Sequence, residues 1–96
     1  MELFRKRNSL AGTRWVCERE DDYTYKRHEI IFTDSHNAIL KGYIEYFTTG
    51  EERIINEGCT YVYNLPNVIF TNNKGTETGE IFGNTLILLG REHIKM

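Results

Sequence analysis

Gly79-Glu80-Ile81-Phe82-Gly83-Asn84-Thr85-Leu86-Ile87-Leu88 sets two short β-prone runs on either side of a Gly-Asn pair. Gly and Asn best tolerate φ > 0, the geometry a tight hairpin needs at its centre if the turn is to match the twist of its strands. The stretch predicts a β-hairpin, and through it an antiparallel meander. It fixes architecture rather than chemistry, because one all-β module can serve binding, inhibition or structural duty.

Outward from this hairpin, turn residues recur about every 8 to 12 positions, the punctuation of a small sandwich or barrel. The expected strands cover residues 13–19, 25–33, 38–47, 53–63, 67–71, 77–82, 85–89 and 92–95, about eight in all. Turns fall at Glu20-Asp21-Asp22, Asp34-Ser35-His36-Asn37, Asn72-Asn73-Lys74-Gly75, Gly83-Asn84 and Gly90. Pro66 is expected to open a strand, where its missing N–H is tolerated. In the third run Ala38, Leu40, Gly42, Ile44 and Tyr46 alternate with Lys41 and Glu45, so the even face points inward. The same test turns Trp15 with Cys17, Ile30 with Phe32, and Leu86 with Leu88 toward the core, and Arg14, Glu18, Arg27 and Glu29 toward water. Ile31, Ile69, Ile87 and Leu89 fall on outer faces, implying a cover, a bulge or a contact surface.

Helical spacing is confined to Leu3, Phe4, Arg7 and Leu10, so residues 1–11 read as an N-terminal segment with a short helical turn and residues 12–96 as the barrel domain. The fold class is all-β, a small up-and-down antiparallel barrel, since closure removes the edges that invite aggregation.

Composition narrows function by exclusion. The chain has 96 residues, 40% of them hydrophobic and 12% aromatic, enough for one domain with a core. A formal net charge of −2 gives no general attraction to phosphate backbones, so no nucleic-acid partner is expected. No run approaches the roughly 20 apolar residues of a membrane-spanning helix, and no apolar core of about 7 to 15 residues follows Arg5-Lys6-Arg7 to make a secretory leader. If a leader was trimmed ahead of Met1 the compartment is periplasmic or the cell surface, and otherwise the cytoplasm.

Ser9-Leu10-Ala11-Gly12-Thr13-Arg14-Trp15 holds a Gly-x-x-Trp opening after a short apolar turn, and resembles the start of lipocalin-like barrels, in which the Trp closes the barrel floor. Together with Glu29-Ile30-Ile31-Phe32-Thr33, Gly58-Cys59-Thr60-Tyr61-Val62-Tyr63 and the hairpin, it is similar to the small lipocalin-like domains of gut Bacteroidetes. That resemblance spans most of the chain. It implies an exported, non-enzymatic domain that binds a small hydrophobic ligand at the open barrel end, although no lipobox cysteine is present in this sequence.

The candidate ligand residues are the aromatics of the predicted interior, Trp15, Phe32, Tyr46, Tyr61 and Tyr63. An eight-stranded barrel is just wide enough for side chains to fill, so the same residues also suit a solid core. The two cysteines, Cys17 and Cys59, lack CxxC spacing; on inward faces they form either a disulfide across the barrel end or a pair of buried thiols. His28, His36 and His93 lie on separate elements without metal-site spacing, and no cofactor or metal is expected. Asp34-Ser35-His36 has the residue types of a hydrolase triad but sits in one turn, where Asp and Ser bond nearby backbone, so no catalytic residues are assigned. The competing function is a protein-interaction or inhibitor module working through loops and outer apolar residues, with the acidic Glu20-Asp21-Asp22 turn steering a basic partner.

Overall fold

The computed structural model describes residues 10–96. The chain forms β1 (Arg14–Glu20), β2 (Thr24–Phe32), β3 (Asn37–Tyr46), β4 (Glu52–Asn64), β5 (Asn67–Asn72), β6 (Gly75–Phe82), β7 (Thr85–Leu88) and β8 (Arg91–Lys95). Each strand pairs antiparallel with the next, and β8 returns to β1 through Trp15↔Lys95 and Val16↔Ile94, closing the barrel. The expected up-and-down barrel is therefore observed, with strand bounds within two residues of those read from sequence. Among the described residues no helix is long and apolar enough to cross a membrane. The expected helical turn falls on residues 1–9 and lies outside the described residues, apart from Leu10, which is buried in the core.

The hairpins obey the turn chemistry of their sequences. Phe82 pairs with Thr85, leaving Gly83-Asn84 as the loop, with Gly83 at φ 60°. Leu88 pairs with Arg91, so Leu89-Gly90 reverses the chain with φ of 53° and 72°. Positive φ at both central positions suits the twist of a two-residue hairpin, yet a bulky side chain at such a φ is strained. Pro66 lies in the turn before β5 rather than opening it, because β5 begins at Asn67, opposite Asn64. A proline between two paired positions need not donate to the ladder.

Period-two alternation sends one face of every strand inward. The buried cluster comprises Leu10, Trp15, Ile30, Phe32, Ala38, Cys59, Tyr61, Val68, Phe70, Leu86 and Leu88. Phe32 lies at its centre, edge-on to Tyr61 at 4.7 Å between centroids and stacked with Phe70 at 5.7 Å. The polar tips are satisfied locally: Trp15 Nε1 donates to Thr13 Oγ1 (2.9 Å), and Tyr61 OH donates to the Asp34 carbonyl (2.6 Å). Gly79 lets β6 press on β7, since a Cβ there would lie 3.1 Å from the Ile87 carbonyl oxygen. The cluster residues come from the starts of β1 and β3, the ends of β2 and β4, and β5 and β7, with Leu10 ahead of β1, so one end of the barrel is solid.

Candidate functional site

The other end is hollow, and the register explains why. Along the inner face Trp15 opposes Ile30, which opposes Leu40. One step on, Cys17 opposes His28, His28 opposes Gly42, and Gly42 opposes Ile55. Where the packed end carries Trp and Phe, this level carries a thiol and a bare Cα, and close packing cannot continue. A cavity of about 320 Å³ results, with Leu40, Gly42, Ile44 and Ile55 along the β3–β4 wall, His28 and Cys17 beside them, and Leu89 at the mouth. That exceeds the room one water needs and reaches the small end of the range of ligand pockets.

His28 and His93 meet across Cys17, with Nδ1 of His28 2.6 Å from Nε2 of His93. Their strands flank β1, and only a small residue between them leaves the imidazoles room to touch. The protons can be placed by elimination. His93 Nδ1 lies 3.2 Å from the carbonyl oxygens of Leu86 and Arg91, which only accept, so Nδ1 carries the hydrogen and Nε2 the lone pair. His28 Nδ1 must then donate to His93, which leaves His28 Nε2 as a lone pair on the cavity wall. Burial pushes the His28 pKa down to about 4, helped by the neighbouring His93 and by Arg91. Burial also lowers His93, against the raising effect of its two carbonyl partners. The lowered pKa values keep both rings neutral at pH 7, and the hydrogen-bond chain itself needs His93 neutral so that its Nε2 can accept.

A step further out the inner face turns cationic: Arg19 opposes Lys26, and Arg91 lies on β8 on the other side of β1. Arg19, Lys26, Arg27 and Arg91 line the cavity against one carboxylate, Glu57. Arg27 is committed to Glu29 (2.7 Å) and Glu18 (3.6 Å), and the Glu29 bond raises its pKa. Glu57 is held from outside by Lys74 at 2.5 Å. Arg19, Lys26 and Arg91 form no ion pair among the described residues.

None of the five aromatics expected to contact ligand lines this cavity. Trp15, Phe32 and Tyr61 are fully buried in the solid end, and Tyr63 packs against it, stacked on Tyr61 at 6.3 Å. Tyr46 ends β3 opposite Thr24 and is half-buried. Cys17 and Cys59 are free thiols rather than a disulfide. They stand on β1 and β4, with two strands between them; the Cys59 thiol donates to the Ala38 carbonyl at 3.6 Å, and burial raises its pKa. Asp34 caps its own turn, its Oδ1 accepting from the backbone N–H of His36 and of Asn37, each at 2.8 Å. Among the described residues no three or more His, Cys, Asp or Glu side chains converge as a metal site. Sequence reasoning weighed His28 only as a metal ligand and did not place Lys26 at a site, although both share the inner-face parity of Ile30 and Phe32.

Two further depressions are present, the second of them sharing Arg19 and Lys26 with the cavity. One of about 420 Å³ runs over β3, β4 and β5, past Ile39, Gly58 and Thr71; the other, about 480 Å³, lies beside the β1–β2 turn. The first is the more open and has no charged lining; the second is walled mainly by charged side chains.

Compared with known proteins, the chain matches no family model, no characterised protein and no solved structure.

Proposed function

We propose that this protein is a non-enzymatic binding module of the lipocalin-like type, taking a small, largely apolar molecule into the hollow end of its barrel. The observation that carries this reading is the 320 Å³ cavity, walled on one side by Leu40, Ile44 and Ile55 and opened by the missing side chain of Gly42. Apolar walls with a few placed polar groups are the usual make-up of a ligand pocket. Leu89 adds support. Although 62% exposed in its hairpin turn, its side chain reaches the cavity lining and extends the apolar wall. Carriage is favoured over chemistry because Cys17, though opposite His28, makes no hydrogen bond to it, whereas an activated thiol needs its base within reach.

Gly42→Val tests the reading. A Cβ at Gly42 meets only Ile55, at 3.6 Å, so the branched side chain enters the cavity without disturbing the wall. The neutral fluorophore N-phenyl-naphthylamine should brighten with the native protein and bind at least about tenfold more weakly to the variant, the cost of losing a buried apolar contact. Equal binding by both proteins, or none by either, refutes the assignment.

A second reading has its own observation. Val62 and Ile69, 65% and 37% exposed, are direct cross-strand neighbours on the outer wall. An interaction or inhibitor module would use such a pair to contact a protein partner.

A further inference from the structure

We infer that the ligand of this cavity is an anionic amphiphile, its carboxylate or similar acid group held at the rim by Arg19, Arg91 and Lys26 while its apolar tail lies against Leu40, Ile44 and Ile55. This rests on the binding reading above and specifies its chemistry.

Three observations carry it. Arg19 and Lys26 are direct cross-strand partners on the inner face, where opposed like charges repel. Arg91 joins them: it stands on β8, the strand beside β1, and lines the same cavity as Arg19 and Lys26. Three adjacent strands thus bring three cations to one rim, in a chain whose formal charge is −2.

Three of the carboxylates near that rim, Glu57, Glu18 and Asp21, are held by other groups, and Glu20, which borders Arg19 and Lys26 at the β1–β2 turn, forms no ion pair with them among the described residues. Glu57 is held by Lys74, Glu18 accepts from Tyr25 OH at 2.7 Å, and Asp21 accepts from the backbone N–H of Tyr23 and Thr24 at 2.8 and 2.7 Å. An acid group from outside therefore meets unpaired guanidinium groups, with which it forms charge-assisted, bidentate hydrogen bonds. Deeper placement of the acid is disfavoured, because His28 offers a lone pair there rather than a proton. The head belongs at the mouth and the tail inside.

Decanoate, decanol and decylamine share one tail and differ only in the head, so their binding to the full chain by titration calorimetry separates tail from charge. Decanoate should bind about 10- to 100-fold more tightly than decanol, the advantage of a charged hydrogen-bonded pair over a neutral one, and decylamine most weakly. In Arg19→Gln/Arg91→Gln that preference should vanish while decanol binding stays unchanged, with a thermal melt checking that the barrel is intact. Equal affinity for the three amphiphiles, or a carboxylate preference that survives in the double variant, overturns the inference and leaves the cavity reading standing. Binding of none of them by the native chain overturns both.

Discussion

Acidification from pH 7 to pH 5 should weaken this fold through one pair of side chains, His28 and His93. Both are held neutral in the folded state, His28 down to about 4 from an ordinary 6.5, with His93 shifted in the same direction. In that window the unfolded chain takes up protons that the folded chain refuses, so stability is fully present above about pH 6.5 and drains away as the pH falls toward 4. For His28 alone, linkage between those two values gives about 1.8 kcal/mol from pH 7 to 5. Water reaches the ring through the cavity and screens the charge, so about 1 kcal/mol is the expected loss, with His93 adding to it. Arg91 on β8 already contributes to the His28 shift, and the other ionisable groups on the same cavity are Cys17 and Arg19 on β1, Lys26 and Arg27 on β2, Tyr43 on β3 and Glu57 on β4. The capped carboxylates Asp21 and Asp34 are themselves lowered from 3.8, so their contribution is lost only below this window. Urea unfolding at pH 7, 6 and 5 is the assay. With a slope of about 1 to 1.5 kcal/mol/M, the midpoint should fall by about 0.7 to 1 M. His28→Leu/His93→Phe should flatten this dependence. Removing both partners at once should also cost less than His28→Leu alone, which strands the buried His93 lone pair at about 1 to 3 kcal/mol. A native midpoint that does not fall with pH, or a dependence that persists in the double variant, would refute the assigned protonation.

Leu89→Gly should raise stability by about 0.5 to 1 kcal/mol in thermal melts, relief of strain outweighing the added chain entropy, and should weaken binding of an apolar probe. Gly79→Ala should destabilise by about 1 to 3 kcal/mol because its Cβ meets the Ile87 backbone at 3.1 Å, whereas Gly42→Ala should be neutral or mildly stabilising; paired urea titrations compare them. Arg19→Gln should stabilise the ligand-free protein by about a few tenths of a kcal/mol by removing a like-charge opposition to Lys26, an effect that added salt should erase.

Strand bounds and inward faces were legible because each rests on local chemistry. Gly83 takes the positive φ that the Gly83-Asn84 turn needs, and the inner positions Leu40, Gly42 and Ile44 of the run from Ala38 to Tyr46 line the barrel cavity. Pro66 was misplaced by one position, since a missing N–H fits a turn as well as a strand start. The site was harder to see. Choosing Trp15, Phe32 and Tyr61 as ligand contacts weighted aromatic character, but in a narrow barrel large rings fill space and so mark where a cavity is not. The cavity is marked by what is small or polar at inner positions, Cys17, His28 and Gly42, and its walls come together only when Cys17↔His28 and Gly42↔Ile55 fall at one level. The cationic rim likewise needs β8 brought beside β1, a closure no local pattern encodes.

The division of this barrel into a solid and a hollow end has an evolutionary consequence. No residue of the fully buried cluster lines the cavity, and of the side chains packed against that cluster Leu40 alone does, so the positions that hold the fold and those that choose the ligand are largely separate sets. Exchanges at Arg19, Ile44, Ile55 or Arg91 can retarget the pocket without eroding the packing around Phe32, and descendants of one such chain can diverge in what they carry while keeping the same scaffold.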